Sequence, residues 1–267
     1  MRTRKRFGQH FLEPAWVAKL VDAVHPAADE TFLEIGPGRG ALTLPLAARV
    51  KRLIAVEIDR DLAADLSEEV PPHVSVVPAD FLALDLTALL AAERLPVRVI
   101  GNLPYNVSSP ILFRLLAAHD AGQRFSDATL MLQREVADRL VAQPGSGAYG
   151  VLSLQTTLHA DVERLLALPP GAFRPPPKVT SAVIRFRFRS PAEDVGDPAL
   201  FERLVRGVFQ LRRKTLQNAL KPLLPPGTSA RQVLDEAGIA PDRRPETLSL
   251  ADAARLSRTV LYFPGSR

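Results

Sequence analysis

The stretch Thr31-Phe32-Leu33-Glu34-Ile35-Gly36-Pro37-Gly38-Arg39-Gly40-Ala41-Leu42-Thr43 decides the fold. An apolar run that stops at Gly-Pro-Gly reads as a buried strand, and the GALTLPLAARV that follows has helical spacing. Gly36, Gly38 and Ala41 fit G-x-G-x-x-A between that strand and that helix. Glycines there let the backbone turn sharply and come close to a ligand.

Working outward, RLIAVEID (52–59), VSVVPAD (74–80), VRVIGNLP (97–104) and ATLMLQRE (128–135) read as further strands with helical patterns between them. Strands alternating with helices predict an α/β fold with a mostly parallel sheet. The pattern then changes. ADVERLLALPPGAFRPPPKVTSAVIRFRF (160–188) predicts two strands around a Pro-rich connection, an antiparallel pair closing one sheet edge. In the second, Ala182, Ile184, Phe186 and Phe188 alternate with Arg185, Arg187 and Arg189, so period two sends the arginines to the opposite face.

SPAEDVGDP (190–198) reads as a linker. Beyond it, Phe201, Leu204, Val205, Val208, Leu211 and Leu216 have helical spacing, with basic residues on or near the other face. Ser229 is placed to cap a further helix that Gly238 ends, and ADAARLSRTVLYF (251–263) supplies another. Residues 1–190 are therefore expected to form the α/β domain, and 191–267 a small, all-helical, basic one. The loop 143–150, Gln-Pro-Gly-Ser-Gly-Ala-Tyr-Gly, is either a cover over substrate or a plain connection.

Composition narrows the function classes. The chain holds no cysteine, which excludes disulfides, zinc–cysteine sites and thiolate nucleophiles, and no metal site is expected. A net charge of +5 makes an acidic partner plausible. No apolar run is long enough for a signal peptide or a membrane span, so a cytoplasmic monomer is the expectation.

The glycine loop has acidic companions. Glu57 ends the second strand, where a carboxylate accepts hydrogen bonds from both ribose hydroxyls of a bound nucleoside. Two nucleoside cofactors fit, a nicotinamide dinucleotide and S-adenosylmethionine. Glu34, just before the loop, repels a pyrophosphate but suits a methionine amine or a sulfonium. Asp80 in Pro-Ala-Asp-Phe can take an adenine amino group, or simply cap the segment after it. S-adenosylmethionine is thus favoured, on a Rossmann-like methyltransferase fold.

Asn102-Leu103-Pro104-Tyr105 lies at the end of the fourth strand, where open α/β sheets bind ligands. Adenine's exocyclic amine is a poor nucleophile because its lone pair is delocalised into the ring. The Asn102 side-chain oxygen and the Leu103 carbonyl can accept its two hydrogens and aim the lone pair at a methyl donor. Pro104 stiffens the loop, and Tyr105 offers a stacking face.

Together these residues resemble the ribosomal RNA adenine dimethyltransferase family. The successive motifs are GQHFL (8–12), LEIGPGRGALT (33–43), AVEID (55–59), PADF (78–81), GNLPYNVSSPIL (101–112), LQREVADRL (132–140), FRPPPKVTSAV (173–183) and VFQLRRKTLQNAL (208–220). They span nearly the whole chain and resemble the small-subunit (16S) branch most. That resemblance implies N6,N6-dimethylation of two adjacent adenines in a hairpin near the RNA's 3′ end, with a role in small-subunit biogenesis. It implies cofactor contacts at His10, Leu12, Gly36, Glu57, Asp80 and Asn102, with Gly38, Ile58 and Phe81 counted beside them. It implies that Tyr105 and, on the opposite face, Phe173 bind the base. Asn is the common family residue where this chain has His10, which leaves open whether that contact runs through side chain or backbone.

The expected partner is small-subunit ribosomal RNA or a precursor particle, met by Arg185, Arg187, Arg212, Arg213 and Lys214. The competing readings are a macrolide-resistance-type enzyme acting on large-subunit RNA, a non-catalytic assembly factor, and a nicotinamide-dependent oxidoreductase. The last has no use for Asn-Leu-Pro-Tyr.

Overall fold

A computed structural model describes residues 11–122 and 124–263. The chain runs β1 (Phe11–Leu12), α1 (Pro14–Val24), β2 (Thr31–Ile35), α2 (Thr43–Ala47), β3 (Arg52–Glu57), α3 (Arg60–Glu69), β4 (Val74–Pro78), α4 (Leu86–Leu89), β5 (Val97–Asn102), α5 (Ser108–Asp120) and β6 (Phe125–Gln133). It continues through α6 (Arg134–Leu140), α7 (Val151–His159), β7 (Ala160–Leu168), β8 (Phe173–Arg174) and β9 (Ser181–Phe188). Four helices follow: α8 (Pro198–Gln210), α9 (Leu216–Leu220), α10 (Ala230–Glu236) and α11 (Leu250–Tyr262).

Seven strands form one sheet in the order β4-β3-β2-β5-β6-β9-β7. β4, β3, β2, β5 and β6 pair in parallel, and β9 runs antiparallel to β6. This is the Rossmann-like sheet with an antiparallel margin that the sequence predicts. β1 and β8 form a separate antiparallel pair, which the sequence did not announce.

Local chemistry explains the boundaries. Asp59 accepts the Asp61 and Leu62 N–H groups and so starts α3. Asp197 caps α8 in the same way, with Pro198 in its first turn. Ser229 caps α10 as expected, and Gly238 follows it at φ 66°. β6 differs from expectation: it starts earlier and ends at Gln133, so Arg134 and Glu135 open α6 instead of closing the strand.

Contacts divide the chain into two compact units, and not at residue 190. The first holds the residues up to 137 with 161–190; the second holds 138–160 with everything from 191 on. In the first, α1 and α2 pack Val17, Leu20, Val21, Val24 and Leu46 against Phe32, Leu53 and Ile100 of the sheet. In the second, Tyr149, Leu154 and Leu158 bury against Phe201, Val205, Ala253 and Ala254, which is why 138–160 sorts with the tail helices. The loop 143–150 is accordingly a pinned connection. Gly145 N–H donates to the Glu246 carbonyl at 2.7 Å, and the buried Tyr149 hydroxyl donates to the Leu248 carbonyl at 2.8 Å.

Candidate active site

Register alone lines up the motifs. Glu57 lies opposite Pro78, Val56 opposite Ile35, Ile35 opposite Gly101, and Asn102 opposite Met131. Parallel strands therefore end together, and Gly36, Ile58, Asp80 and Asn102–Tyr105 follow along one edge. Gly101 keeps β2 and β5 close, since a Cβ there would sit 2.9 Å from the Ile35 carbonyl oxygen. A Cβ on Gly36 would lie 3.9 Å from the Asn102 carbonyl oxygen, so the glycine loop and the Asn-Leu-Pro-Tyr turn are direct neighbours.

Gly36, Gly38 and Gly40 all have positive φ. Gly40 is doubly constrained, because an added Cβ would run into the Leu66 side chain at 2.5 Å. Glu57, 3% exposed, anchors this loop: Oε2 accepts the Gly38 N–H and Oε1 the Asp59 N–H, both at 2.9 Å. Each carboxylate oxygen keeps a further lone pair, which suits a diol. Asp80 is exposed and accepts the Leu82 N–H at 2.9 Å, so it caps its turn with one oxygen. Ile58 stands 49% exposed between these two carboxylates in sequence, an apolar face flanked by acceptors. Phe81 is buried, so contact with a ligand falls to its main chain.

Leu103 is buried, and its N–H reaches the Met131 carbonyl at 3.4 Å. Asn102, Pro104 and Tyr105 are half-buried. The Tyr105 hydroxyl lies 2.8 Å from the Ser181 Oγ, which fixes the ring from its far end. Ser181 is buried at the head of β9, opposite Gln133. Nothing in the sequence order marks it as a partner of Tyr105, 76 residues away.

Glu34 is sealed under the loop at 1% exposure, and its Oε2 has no hydrogen-bond partner. Burial pushes its carboxyl up to about 7. The Thr43 hydroxyl draws it down, and the Glu57 charge raises it further. Glu34 therefore acts on anything in the loop through its field, not by touching it.

Phe173 and Leu12, both expected at the site, have buried side chains. Phe173 is 2% exposed in the core with Leu12, Leu168 and Val183. Leu12 is part of the same core. His10 and the basic residues before it lie outside the described residues.

Of the two β9 arginines expected to meet RNA, Arg185 is buried and Arg187 is exposed. β9 is buried along most of its length, on residues of both faces. Arg185, 9% exposed, pairs with Asp127 and Glu163 and donates to the Ala23 carbonyl at 2.6 Å. Arg187 pairs with Glu163 at 2.8 Å. They belong with Arg98, whose guanidinium grips both Asp127 oxygens at 2.7 and 2.8 Å, Glu30 at 2.8 Å and the Val24 carbonyl. That network holds the last carbonyls of α1 at the other end of β5 from Asn102.

Arg212, Arg213 and Lys214 lie in the turn between α8 and α9, not on a helix face. Arg212 pairs with Glu246 at 2.8 Å and donates to the Ser146 carbonyl at 3.1 Å. Arg213 and Lys214 are exposed. Among the described residues there is no cluster suited to a metal ion, and no helix is long and apolar enough to cross a membrane.

Residues 1–260 match the family described as Ribosomal RNA adenine dimethylase. The chain is 45% identical over 262 residues to the "Ribosomal RNA small subunit methyltransferase A" of Xanthomonas euvesicatoria pv. vesicatoria (strain 85-10), covering 97% of this chain and 96% of that protein. It is similar in fold to a dimethyladenosine transferase from Plasmodium falciparum, with a TM-score of 0.78, 24% identity, and 92% and 96% of the two chains covered. It is also similar to the 23S rRNA methyltransferase ErmE, with a TM-score of 0.67, 28% identity, and 94% and 99% covered.

Proposed function

The chain belongs to the ribosomal RNA adenine dimethylase family, and from that premise we propose that it dimethylates the N6 amine of adenine in small-subunit ribosomal RNA, with S-adenosylmethionine as donor. The substrate is two adjacent adenines in a hairpin near the 3′ end of that RNA, free or in a precursor particle. The observation that carries this reading is the closeness of the Gly36 turn to the Asn102 carbonyl, which supports a nucleoside-binding loop acting beside an amine-binding one. The small-subunit branch is favoured because the chain is 45% identical, over nearly its full length, to a protein named for small-subunit RNA methylation.

The residues fit this donor. Glu57, with lone pairs left over from Gly38 and Asp59, would hold the ribose, Ile58 would cover one face of the adenine, and Asp80 would take its amino group. When bound, S-adenosylmethionine supplies an electrophilic methyl group on sulfur. The chain's own part is positional. Asn102 Oδ1 and the Leu103 carbonyl accept the two N6 hydrogens and turn the lone pair toward the methyl group. Tyr105, held by Ser181, fixes the ring plane. As the new N–C bond formed and the donor's S–CH3 bond broke, with its sulfur leaving as a neutral thioether, those two oxygens would stabilise the positive charge developing on N6, whose surplus proton would then leave to solvent.

The test is to incubate the protein with labelled methyl donor and small subunits lacking this modification, and to map the label. Two dimethyladenines near the 3′ end support the reading. Label confined to large-subunit RNA, or particle binding without transfer, favours one of the other two functions.

A further inference from the structure

Arg134 and Lys178 stand outside the site described so far. Arg134 opens α6 directly after β6, and its N–H donates to the Thr180 carbonyl at 3.0 Å. That bond ties it to the loop carrying Lys178, two residues before Thr180. Both side chains are exposed, and neither has an ion-pair partner among the described residues. In the same unit Arg49, Arg52, Arg98, Arg174, Arg185, Arg187 and Arg189 meet a carboxylate, while Lys19, Lys51, Arg60 and Arg94 are exposed without an ion pair among the described residues, so it is position that singles out Arg134 and Lys178. Glu135, next in sequence and also exposed, pairs with neither.

Their position is as informative as their charge. Gln133, just before Arg134, lies opposite Ser181, which holds the Tyr105 hydroxyl. Met131, three residues before Arg134, lies opposite Asn102. At roughly 3.3 Å per strand residue, Arg134 follows about 10 Å beyond the amine-binding turn. An adenine taken out of its stack to reach Asn102 brings its sugar and flanking phosphates with it. Two cations with no carboxylate to give up, one at that distance and the other on the loop bonded to it, match that anionic backbone.

We propose that Arg134 and Lys178 clamp the RNA phosphates flanking the target adenosine and so hold the extruded nucleotide in register with Asn102 and Tyr105. The proposal rests on the RNA-methylating reading above. Both side chains are positioning groups: they touch the backbone of the substrate and not the reacting atoms.

The experiment compares wild type, the double variant Arg134→Gln/Lys178→Gln and the charge-preserving Arg134→Lys/Lys178→Arg on small subunits lacking the modification. KM and kcat are read at several salt concentrations, with donor affinity and a melting curve. The expected result for the double Gln variant is a KM for the particle raised about tenfold, and a salt slope smaller by about one or two charges. Donor Kd and melting temperature should be unchanged, and the charge-preserving pair should recover most of the loss. An unchanged KM and salt slope in the double Gln variant overturns the clamp, as does a loss explained by lowered melting temperature. Wild type that modifies no small-subunit RNA instead overturns the underlying reading, so the two failures are distinguishable.

Discussion

Glu57 and Gly38, nineteen residues apart, are joined by a 2.9 Å hydrogen bond from the glycine N–H to the carboxylate. The residue proposed to read the donor's ribose is thus also the residue that holds the donor loop in shape. The two roles are compatible because a carboxylate has more acceptor sites than these backbone donors use.

Glu57→Ala should therefore have two consequences. It leaves the Gly38 and Asp59 N–H groups without their acceptor, lowering the melting temperature, and it weakens S-adenosylmethionine binding by about 1–3 kcal/mol. Asp80→Ala should weaken the donor by a similar amount with a smaller loss of stability, because Asp80 is exposed and caps only a turn. Calorimetry and melting curves on both variants check this. Donor affinity unchanged in both would remove the cofactor assignment.

Asn102→Ala should abolish most turnover while donor and particle still bind. The side-chain oxygen acts on the developing charge at N6, so its loss appears in kcat more than in affinity. Ser181→Ala should have a milder effect on the same step by releasing the Tyr105 hydroxyl. A near wild-type single-turnover rate in Asn102→Ala would show that amine alignment does not depend on it.

A pH dependence follows from Glu34. Its carboxyl titrates near 7 in the fold against 4.5 when exposed, so the fold favours the protonated form. That contribution is complete below about pH 4.5 and is lost as pH rises through about 7, at most on the order of 3 kcal/mol. Glu34→Gln stays neutral throughout. Its stability relative to wild type should thus be higher at pH 8 than at pH 5. Equal differences at the two pH values would mean that Glu34 is ionised throughout or relieved by a solvent path.

The sheet and its loops were legible because they rest on local signals. Apolar runs ending at Gly36–Gly40, Glu57, Asp80 and Asn102 specify strands that finish together, and parallel pairing does the rest. The errors share a different cause. The alternation in β9 was real, yet Arg185 is buried, because period two says which residues share a face and not what covers that face. Asp127 and Glu30, which neutralise Arg98 and Arg185, come from distant parts of the chain. The burial of Phe173 was likewise not legible, as its core partners Leu12 and Leu168 come from other elements. The 138–160 segment was assigned to the catalytic domain by chain order, whereas Tyr149 and Leu158 find their apolar partners more than 35 residues on.

The turn between α8 and α9 offers the sharpest separation of structure from binding. Arg212 is committed within its unit, to Glu246 and the Ser146 carbonyl, and both bonds pin the 143–150 connection. Arg213 and Lys214 beside it are exposed. Arg212→Ala should cost about 1 kcal/mol, since the pair is only partly shielded from solvent, and lower the melting temperature by roughly 2–4 °C. Its particle affinity should fall little at temperatures where it is folded. Arg213→Gln/Lys214→Gln should behave in the opposite way, with an unchanged melting curve, weaker particle binding and a shallower salt dependence, because fewer phosphate counterions are released. Donor binding should survive in all variants, since the proposed donor contacts belong to the other unit. Titrating particle affinity against salt, alongside melting curves, decides the matter: a salt slope that drops with Arg212→Ala but not with the Arg213/Lys214 pair would reverse the assignment.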